Sequence, residues 1–189
     1  MADLYEVRWH ARGGQGAVTA SRFLSSAASR EDKHFQGFPE FGTERMGAPI
    51  QAFTRLSKER IYTHEQVQTP DAVVVLDDTL LEVVDVTAGI KAGGPLIINS
   101  TQPPEQLKKQ LKSGGYKLYT VDATKIATEC VGRPITNTAM VGALVKVTGL
   151  VNFGAVKDEL VSMFGSKFKQ SVVEGNVRAL QRAYEEVQG

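Results

Sequence analysis

Apolar and polar residues follow two different periods along the chain, and segments of the two kinds alternate. Leu4–His10 mixes apolar and polar residues at a period of two, which predicts a first strand. Glycines stand next at positions 13, 14 and 16. From Ala17 to Ala28 apolar residues recur every three or four positions, which predicts a helix that begins directly after the glycines.

The next part of the chain has strand patterns separated by a long loop. Lys33–Phe38 predicts a short second strand, and Pro39–Pro49 is punctuated by glycine and proline as loops are. Ile50–Leu56 alternates again and predicts a third strand. Arg60–His64 is a possible hairpin partner for that strand, joined to it by Ser57–Glu59.

Two later segments, Ala72–Leu76 and Leu96–Ile98, are apolar without interruption, which is typical of central strands covered by helices on both faces. Tyr116–Val121 predicts one more strand. Helices are predicted over 103–113, 123–130, 138–149, 153–163 and 169–187. Strands alternating with helices indicate an α/β fold, so we predict one domain over 1–189, a three-layer, Rossmann-like α/β/α arrangement. The possible hairpin makes its mostly parallel sheet mixed.

Composition excludes several function classes. The chain has 189 residues, 22 Lys and Arg against 21 Asp and Glu, and one cysteine. A net charge of +1 gives no reason to expect nucleic-acid binding. Cys130 cannot form an internal disulfide, hold an iron–sulfur cluster or build a cysteine zinc site alone.

The sequence also predicts a cytoplasmic chain. Its first six residues include Asp3 and Glu6, where a signal peptide needs basic residues, and no apolar stretch of the needed length follows. Apolar runs such as Ala72–Leu76 are far shorter than the roughly 20 residues of a membrane-spanning helix. We therefore expect no membrane partner.

The first candidate site is the glycine-rich segment between the first strand and the first helix. Unpaired N–H groups at a helix start favour anions, and glycine lets a pyrophosphate approach the backbone. Nucleotide, flavin and coenzyme A would all suit such a turn. The match to the dinucleotide fingerprint is incomplete, because Thr19 stands where its third glycine belongs and only Glu40 is near the place of its acidic residue. A tight turn that binds nothing is equally compatible.

The second candidate is the loop between Phe38 and Pro49. Loops of this length are usually functional or take part in interfaces. Phenylalanines at 35, 38 and 41 argue against full solvation, so we expect the loop to dock against a partner. A solvated surface loop is the alternative.

Other polar residues have simpler interpretations. Asp77, Asp78 and Asp122 follow predicted strands, where α/β proteins bind ligands, but strand stops or helix caps explain them as well. Asn137 or Thr138 would cap the helix expected to begin near residue 139. The three histidines are too far apart in sequence to suggest a metal site, and no catalytic triad, Walker loop or CxxC is present.

Four motifs together resemble one family. They are Arg8–Gly16 (RWHARGGQG), Phe38–Pro49 (FPEFGTERMGAP), Pro70–Leu81 (PDAVVVLDDTLL) and Asn137–Ala143 (NTAMVGA). In this order and spacing the chain resembles the gamma subunit of the 2-oxoacid:ferredoxin oxidoreductases, most closely the pyruvate type. The resemblance extends from about Tyr5 to Glu186.

The resemblance implies an enzyme complex with alpha, beta and delta chains, a heterotetramer of anaerobic metabolism. It would convert pyruvate, coenzyme A and oxidised ferredoxin to acetyl-CoA, CO2 and reduced ferredoxin. Thiamine diphosphate, magnesium and iron–sulfur clusters would lie in the partner chains, and this chain alone would be inactive. A subunit for 2-oxoisovalerate or 2-oxoglutarate, a purely structural subunit and an independent NAD or flavin oxidoreductase are the alternatives.

The resemblance also implies roles for particular residues. Coenzyme A would contact the backbone from Gly13 to Ala17, with polar contacts from Gln15 or Thr19, so the predicted cofactor-binding residues are Gly13, Gly14, Gln15, Gly16 and Thr19. The 38–49 loop would pack on the catalytic chains, with Pro39, Glu40, Glu44, Arg45 and Gly47 as interface residues. No catalytic and no metal-binding residue is assigned to this chain.

Overall fold

A mixed six-stranded sheet organises the chain, in the order β2-β3-β1-β4-β5-β6. The computed structural model describes residues 4–40, 46–112 and 114–189. Within them, β1, β4, β5 and β6 are parallel, whereas β3 runs antiparallel to both of its neighbours. The strands are β1 Tyr5–Arg12, β2 His34–Pro39, β3 Pro49–Ser57, β4 Ala72–Val75, β5 Pro95–Asn99 and β6 Lys117–Val121.

Helices cover the two faces of the sheet unequally. The helices are α1 Ala17–Ser29, α2 Pro104–Leu107, α3 Ala123–Val131, α4 Asn137–Thr148, α5 Phe153–Gly165 and α6 Gln170–Glu186. Helices α1 and α3–α6 contribute to the large core on one face, together with side chains such as Trp9 and Val74. The other face has a smaller core under the 3-10 turn Asp78–Glu82, the loop after it and α2.

The central strands are apolar on both faces because each face has its own core. Val74 belongs to the large core, while its neighbours Val73 and Val75 belong to the small one. All three side chains are fully buried. The predicted α/β fold with a mixed sheet is confirmed, although the layer over the small core is thinner than the helices predicted for it.

Two predicted elements are wrong. Arg60–His64 forms no strand, because β3 already pairs with β2 on one side and β1 on the other and offers no free edge. The helix predicted over 103–113 is only α2, followed by turns. Leu107 is its one buried side chain, and a single anchored turn gives little reason for the polar residues after it to stay helical.

The carboxyl ends of the parallel strands meet at one edge of the sheet. The hydrogen bond from Leu76 N–H to His10 C=O (2.9 Å) holds the chain after β4 beside the end of β1. Residues that follow β1 and β4 are therefore neighbours, although more than 60 positions separate them. No helix in the described part of the chain is both long and apolar enough to cross a membrane.

Candidate functional site

The glycine segment forms a tight turn between β1 and α1, which we call the Gly turn (residues 13–16). Gly14 and Gly16 have positive φ values of 97° and 86°, a region in which residues with a β-carbon are strained. Gly16 is the N-cap residue of α1, so it offers no side chain to cap the helix. The first N–H groups of α1 consequently have no partner among the described residues.

Only some of the N–H groups proposed to bind a ligand are free to do so. The Gly13 N–H donates to Ala48 C=O (2.8 Å), and the Gln15 N–H donates to Arg12 C=O (3.1 Å). Those of Gly14, Gly16 and Ala17 have no hydrogen-bond partner among the described residues. An anion at this turn would therefore meet the backbone at the start of α1 rather than at its first glycine.

The start of α4 packs directly against the Gly turn. A β-carbon on Gly16 would lie 2.7 Å from Asn137 Nδ2 and 3.2 Å from its Cγ. Asn137 is itself buried, and its Oδ1 accepts a hydrogen bond from the Thr138 N–H at 2.8 Å. Gly16 is thus required by a close contact as well as by its backbone conformation. The helix begins at Asn137 rather than at residue 138, with Thr136 as N-cap residue, so the prediction that Asn137 or Thr138 is the N-cap residue is wrong.

Side chains from three segments form one hydrogen-bonded network at the turn. Gln15 Oε1 accepts from the Arg12 backbone N–H (2.8 Å), and Gln15 Nε2 donates to Asp77 Oδ2 (2.6 Å). The other carboxylate oxygen, Asp77 Oδ1, accepts from the Thr79 N–H (3.0 Å) and hydroxyl (2.6 Å). Arg12 Nη2 donates to the Thr79 hydroxyl at 2.8 Å, and Arg12 Nε lies 3.5 Å from Asp77 Oδ2.

This network keeps Asp77 ionised. Partial burial on its own would raise the pKa of Asp77, but hydrogen bonds from Thr79 and Gln15 and the charge of Arg12 outweigh it and lower the pKa. Asp77 is therefore a carboxylate at neutral pH. It is the cap of the 3-10 turn, as one interpretation held, but it also holds the Gly turn through Gln15.

The 39–49 segment is the part of the predicted 38–49 loop from Pro39 to Pro49, and its end lies against the Gly turn. Besides the Gly13–Ala48 bond, the Gly47 N–H donates to Gly13 C=O at 3.1 Å, and Arg12 Nη1 donates to Gly47 C=O at 3.2 Å. The two candidate sites of the sequence, the Gly turn and the loop before β3, are thus joined by hydrogen bonds. A partner that bound this segment would be in contact with the strand–helix turn.

The predicted interface residues that are described lie at the two ends of this segment. Pro39 ends β2, and Glu40 Oε1 accepts a hydrogen bond from Gln66 Nε2 at 3.1 Å. Glu44 and Arg45 lie outside the described residues. Met46, which follows them, is 95% exposed.

A cleft opens beside the Gly turn, between α1, α4, α5 and α6; we call it the helix cleft. Its volume is about 630 Å3. Thr19 and Asn137 line it on the side of the Gly turn, and the exposed basic residues Arg133 and Lys167 stand at its rim. Its walls are mostly apolar and consist of Val131, Ile135, Met163, Phe164, Phe168 and Val172.

The helices whose first turns line this cleft differ in their capping from α3 and α5. Helices α3 and α5 are capped by the Asp122 and Asn152 side chains, which accept from backbone N–H groups at 2.9 and 2.8 Å. Helices α1, α4 and α6 have no such side-chain cap at their N-cap residues. Their first turns contribute Thr19, Asn137 and Val172 to the cleft, so the positive ends of three helices border it, although the Thr138 and Val172 N–H groups already donate to Asn137 Oδ1 and Lys169 C=O.

Sequence reasoning missed several residues of this site. Asn137 was interpreted only as a cap, and Lys167 was not singled out. The uninterrupted hydrophobicity of β4 was the one available signal for Asp77, since it predicts a parallel neighbour whose carboxyl end meets that of β1. Nothing in the sequence indicated that α5 and α6 would complete a cleft beside the glycines.

Other chemistry has little support among the described residues. They contain no group of three His, Cys, Asp or Glu side chains arranged to hold a metal ion. Cys130 is half-buried, with Arg182 Nη1 3.8 Å from its sulfur. His10 is buried beneath Arg8, whose Nε donates to His10 Nε2 at 3.0 Å, and burial followed by the Arg8 charge lowers the pKa of His10 to about 3. It is a neutral acceptor in the core.

Comparison with known proteins identifies the family. Residues 6–186 match the family described as Pyruvate ferredoxin/flavodoxin oxidoreductase. The chain is 48% identical over 181 residues to the "Pyruvate/ketoisovalerate oxidoreductases common subunit gamma" of Thermococcus kodakarensis, covering 96% of both chains. It is 46% identical over 183 residues to "Pyruvate synthase subunit PorC" of Thermotoga maritima, covering 97% of this chain and 94% of that one.

The fold agrees with a solved structure of the same kind. The crystal structure of pyruvate oxidoreductase subunit PORC from Thermotoga maritima superposes with a TM-score of 0.86 at 43% identity, covering 98% of this chain and 97% of that chain. The resemblance drawn from the four motifs is confirmed. The chain belongs to the pyruvate ferredoxin/flavodoxin oxidoreductase family and is a gamma-type subunit of a multi-subunit 2-oxoacid oxidoreductase.

Proposed function

We propose that this subunit works in a cytoplasmic pyruvate:ferredoxin oxidoreductase of anaerobic metabolism, assembled with alpha, beta and delta chains as a heterotetramer. The complex converts pyruvate, coenzyme A and oxidised ferredoxin to acetyl-CoA, CO2 and reduced ferredoxin. The names of the Thermococcus and Thermotoga relatives, which refer to pyruvate, support this choice. The former also names ketoisovalerate and a common subunit, which favours locating the choice of 2-oxoacid in the partner chains.

Within that complex, the gamma chain's task is to bind part of coenzyme A. The observation that carries this proposal is the helix cleft, bordered by three helix starts that lack side-chain caps and by two basic side chains. Coenzyme A combines phosphate groups with a long, largely uncharged pantetheine arm and an aromatic base. The cleft offers both kinds of surface, and its volume is within the range of small-molecule sites.

Different residues suit the anionic and the uncharged part of coenzyme A. The N–H groups of Gly14, Gly16 and Ala17 suit an anionic oxygen, as does the exposed charge of Arg133 or Lys167. Apolar walls suit the uncharged part. Thr19 lines the cleft and can contact the ligand directly, whereas both polar atoms of the Gln15 amide already have protein partners.

The redox chemistry belongs to the partner chains. Thiamine diphosphate acts as electron sink in 2-oxoacid decarboxylation, and the proteins supply orientation and electrostatics. We propose that this cofactor, its magnesium ion and the iron–sulfur clusters are all held by those chains. In this gamma chain we assign no residue to catalysis, and the 39–49 segment serves as its docking surface.

The test uses the assembled complex with Gly14 replaced by leucine. A β-carbon on Gly14 would meet no described residue within 4 Å, so a bulky side chain can be attached beside the free N–H groups. We expect the Michaelis constant for coenzyme A to rise about tenfold or more while that for pyruvate stays unchanged.

Gly93→Leu is the matched control. Gly93 also has a positive φ (78°) and open space around it, but it lies in the loop before β5, so it shares the backbone strain without the site. If Gly14→Leu leaves the constant for coenzyme A unchanged in an assembled complex, the glycines only form a tight turn and the subunit is structural.

A further inference from the structure

The carboxylate of Asp77 is joined to the Gly turn through one amide. We propose that Asp77 is a positioning residue: acting through Gln15, it fixes the Gly turn in the conformation that leaves the first N–H groups of α1 free for the ligand. This inference rests on the proposed role in coenzyme A binding. Asp77 does not line the helix cleft, so any effect it has on the ligand must pass through the turn.

Two hydrogen bonds between Gln15 and Arg12 close the turn. The side-chain Oε1 of Gln15 accepts from the Arg12 backbone N–H at 2.8 Å, and the backbone N–H of Gln15 donates to Arg12 C=O at 3.1 Å. The turn is thereby closed by one side-chain and one backbone bond between the same two residues. The orientation of the amide matters, because turning it over would place its NH2 group against the Arg12 N–H.

Asp77 is the group that sets this orientation. Its Oδ2 accepts from Gln15 Nε2 at 2.6 Å, and a carboxylate can only accept. Its Oδ1 accepts from both the N–H and the hydroxyl of Thr79, so the carboxylate is fixed to its own 3-10 turn. The two donors of Thr79 and the donor of Gln15 approach different oxygens, so both oxygens of the carboxylate have partners.

Swapping the acid and the amide between positions 77 and 15 tests this relationship, because the two groups differ in their hydrogen-bond donors and acceptors. In Asp77→Asn one oxygen becomes an NH2 group, so a donor faces a donor at Gln15, at the Arg12 N–H if the Gln15 amide turns over, or at the Thr79 N–H if the new amide turns over. In Gln15→Glu two carboxylates face each other. Combining Asp77→Asn with Gln15→Glu makes the residue at 15 accept from both Arg12 and residue 77, which restores the two hydrogen bonds of the Gln15 side chain and the net charge, but not the ion pair between Arg12 Nε and Asp77 Oδ2.

The experiment compares these three variants with the unmodified chain in the assembled complex. Each single variant should accelerate amide hydrogen exchange over residues 12–18 and raise the Michaelis constant for coenzyme A, both about tenfold, with kcat changed less than twofold. The double variant should recover both quantities to within about threefold. Asp78→Asn is the matched control, since the neighbouring Asp78 accepts from the Ser100 hydroxyl (2.8 Å) and does not touch the turn.

Two results separate this proposal from the proposed function. Unchanged exchange in Asp77→Asn, or a double variant no better than the single ones, would overturn the positioning role. Exchange that rises and is restored by the double variant supports that role even when the constant for coenzyme A does not move, and the ligand assignment is then what fails. If Asp77→Asn does not assemble, Gln15→Met tests the same link, because it removes both bonds of the amide and introduces no new donor.

Discussion

Gly16 and Asn137 are in contact across the start of two helices: a β-carbon on Gly16 would lie 2.7 Å from Asn137 Nδ2. One residue begins α1 and the other begins α4, so this contact fixes the relative position of two helix starts that border the same cleft. The Gly turn is therefore shaped by a neighbour 121 positions away as well as by its own backbone.

Gly16→Ala should destabilise the chain more than Gly14→Ala. Both residues have positive φ, which costs a residue with a β-carbon about 1–2 kcal/mol. Only Gly16 also meets a buried side chain, and overpacking adds about 1–3 kcal/mol. Urea unfolding of the two variants measures the difference.

Removing the neighbour provides the control. Asn137→Ala alone should be destabilising because it removes the acceptor of the Thr138 N–H. Combined with Gly16→Ala, it should cost less than the sum of the two single changes, since the clash is gone. Strict additivity would show that Asn137 moves aside without cost and that the contact does not fix the two helices.

The sequence predicted the Gly turn but not its surroundings. A strand followed by glycines and then a helical period is a local pattern, and it located residues 13–16 correctly between β1 and α1. Asn137 reaches the turn, and Arg133 and Lys167 reach the helix cleft, only because α4 and α5 pack against α1. Such contacts depend on how helices are arranged on the sheet, which hydrophobic periodicity does not encode.

The basic rim of the helix cleft should recognise the phosphates of coenzyme A. Neutralising Arg133 and Lys167 together (R133A/K167A) should raise the Michaelis constant for coenzyme A about tenfold, because exposed charge pairs contribute up to roughly 1 kcal/mol each. The difference between coenzyme A and dephospho-coenzyme A should shrink in the double variant. Lys157 is an exposed lysine of α5 outside the cleft, so Lys157→Ala should change neither the Michaelis constant for coenzyme A nor the difference between the two ligands. Equal losses for both ligands would argue against a phosphate contact at this rim.

Met46 should take part in assembly. It is the most exposed of the large apolar residues described, and it directly precedes Gly47, which is bonded to the Gly turn. Met46→Glu should weaken association with the partner chains, visible as release of this chain on gel filtration at low protein concentration. Val83→Glu, another exposed apolar residue beside the small core, serves as control. Full retention of the Met46 variant would contradict the docking role of the 39–49 segment.

The fold was more predictable than the site, for a physical reason. Buried strands such as β4 need apolar residues on both faces, and that requirement is visible in the sequence itself. The two segments whose secondary structure was predicted wrongly are those in which packing against other elements determines whether a strand or helix forms. Arg60–His64 has a strand-like pattern but no free edge to pair with, and the polar residues after Leu107 have nothing to bury.

Two helical glycines should respond oppositely to alanine. A β-carbon on Gly142 would collide with the backbone carbonyl of Leu180, where α4 packs on α6, so Gly142→Ala should destabilise the chain by about 3 kcal/mol. Gly165, at the end of α5, has open space and no positive φ. There alanine should stabilise by up to about 1 kcal/mol, because it restricts the unfolded chain. Thermal unfolding of both variants measures this, and a tolerated Gly142→Ala would show that the two helices can separate.

Acidification should destabilise the chain through His10. Its pKa is about 3 in the folded protein, because it is buried and faces Arg8, whereas an unfolded histidine has a pKa near 6.5. The unfolded chain therefore binds a proton that the folded one does not at any pH between these values. Stability should be independent of His10 above pH 6.5 and should fall below it by up to about 1.4 kcal/mol per pH unit.

The range from pH 6.5 to about 5 separates most of this effect from the carboxylates. Asp77, Asp85, Glu31 and Glu129, whose pKa values are also lowered in the fold, act in the same direction, but mainly below about pH 5, where unfolded carboxyl groups begin to bind protons. In His10→Gln the residue at 10 can still accept from Arg8 Nε but cannot titrate. Urea midpoints of that variant should be nearly flat across this range, while His64→Gln, which removes an exposed histidine, should keep the unmodified slope. A slope that persists in His10→Gln would mean that His10 binds protons alike in the folded and the unfolded chain, which is incompatible with its accepting a hydrogen bond from Arg8 Nε.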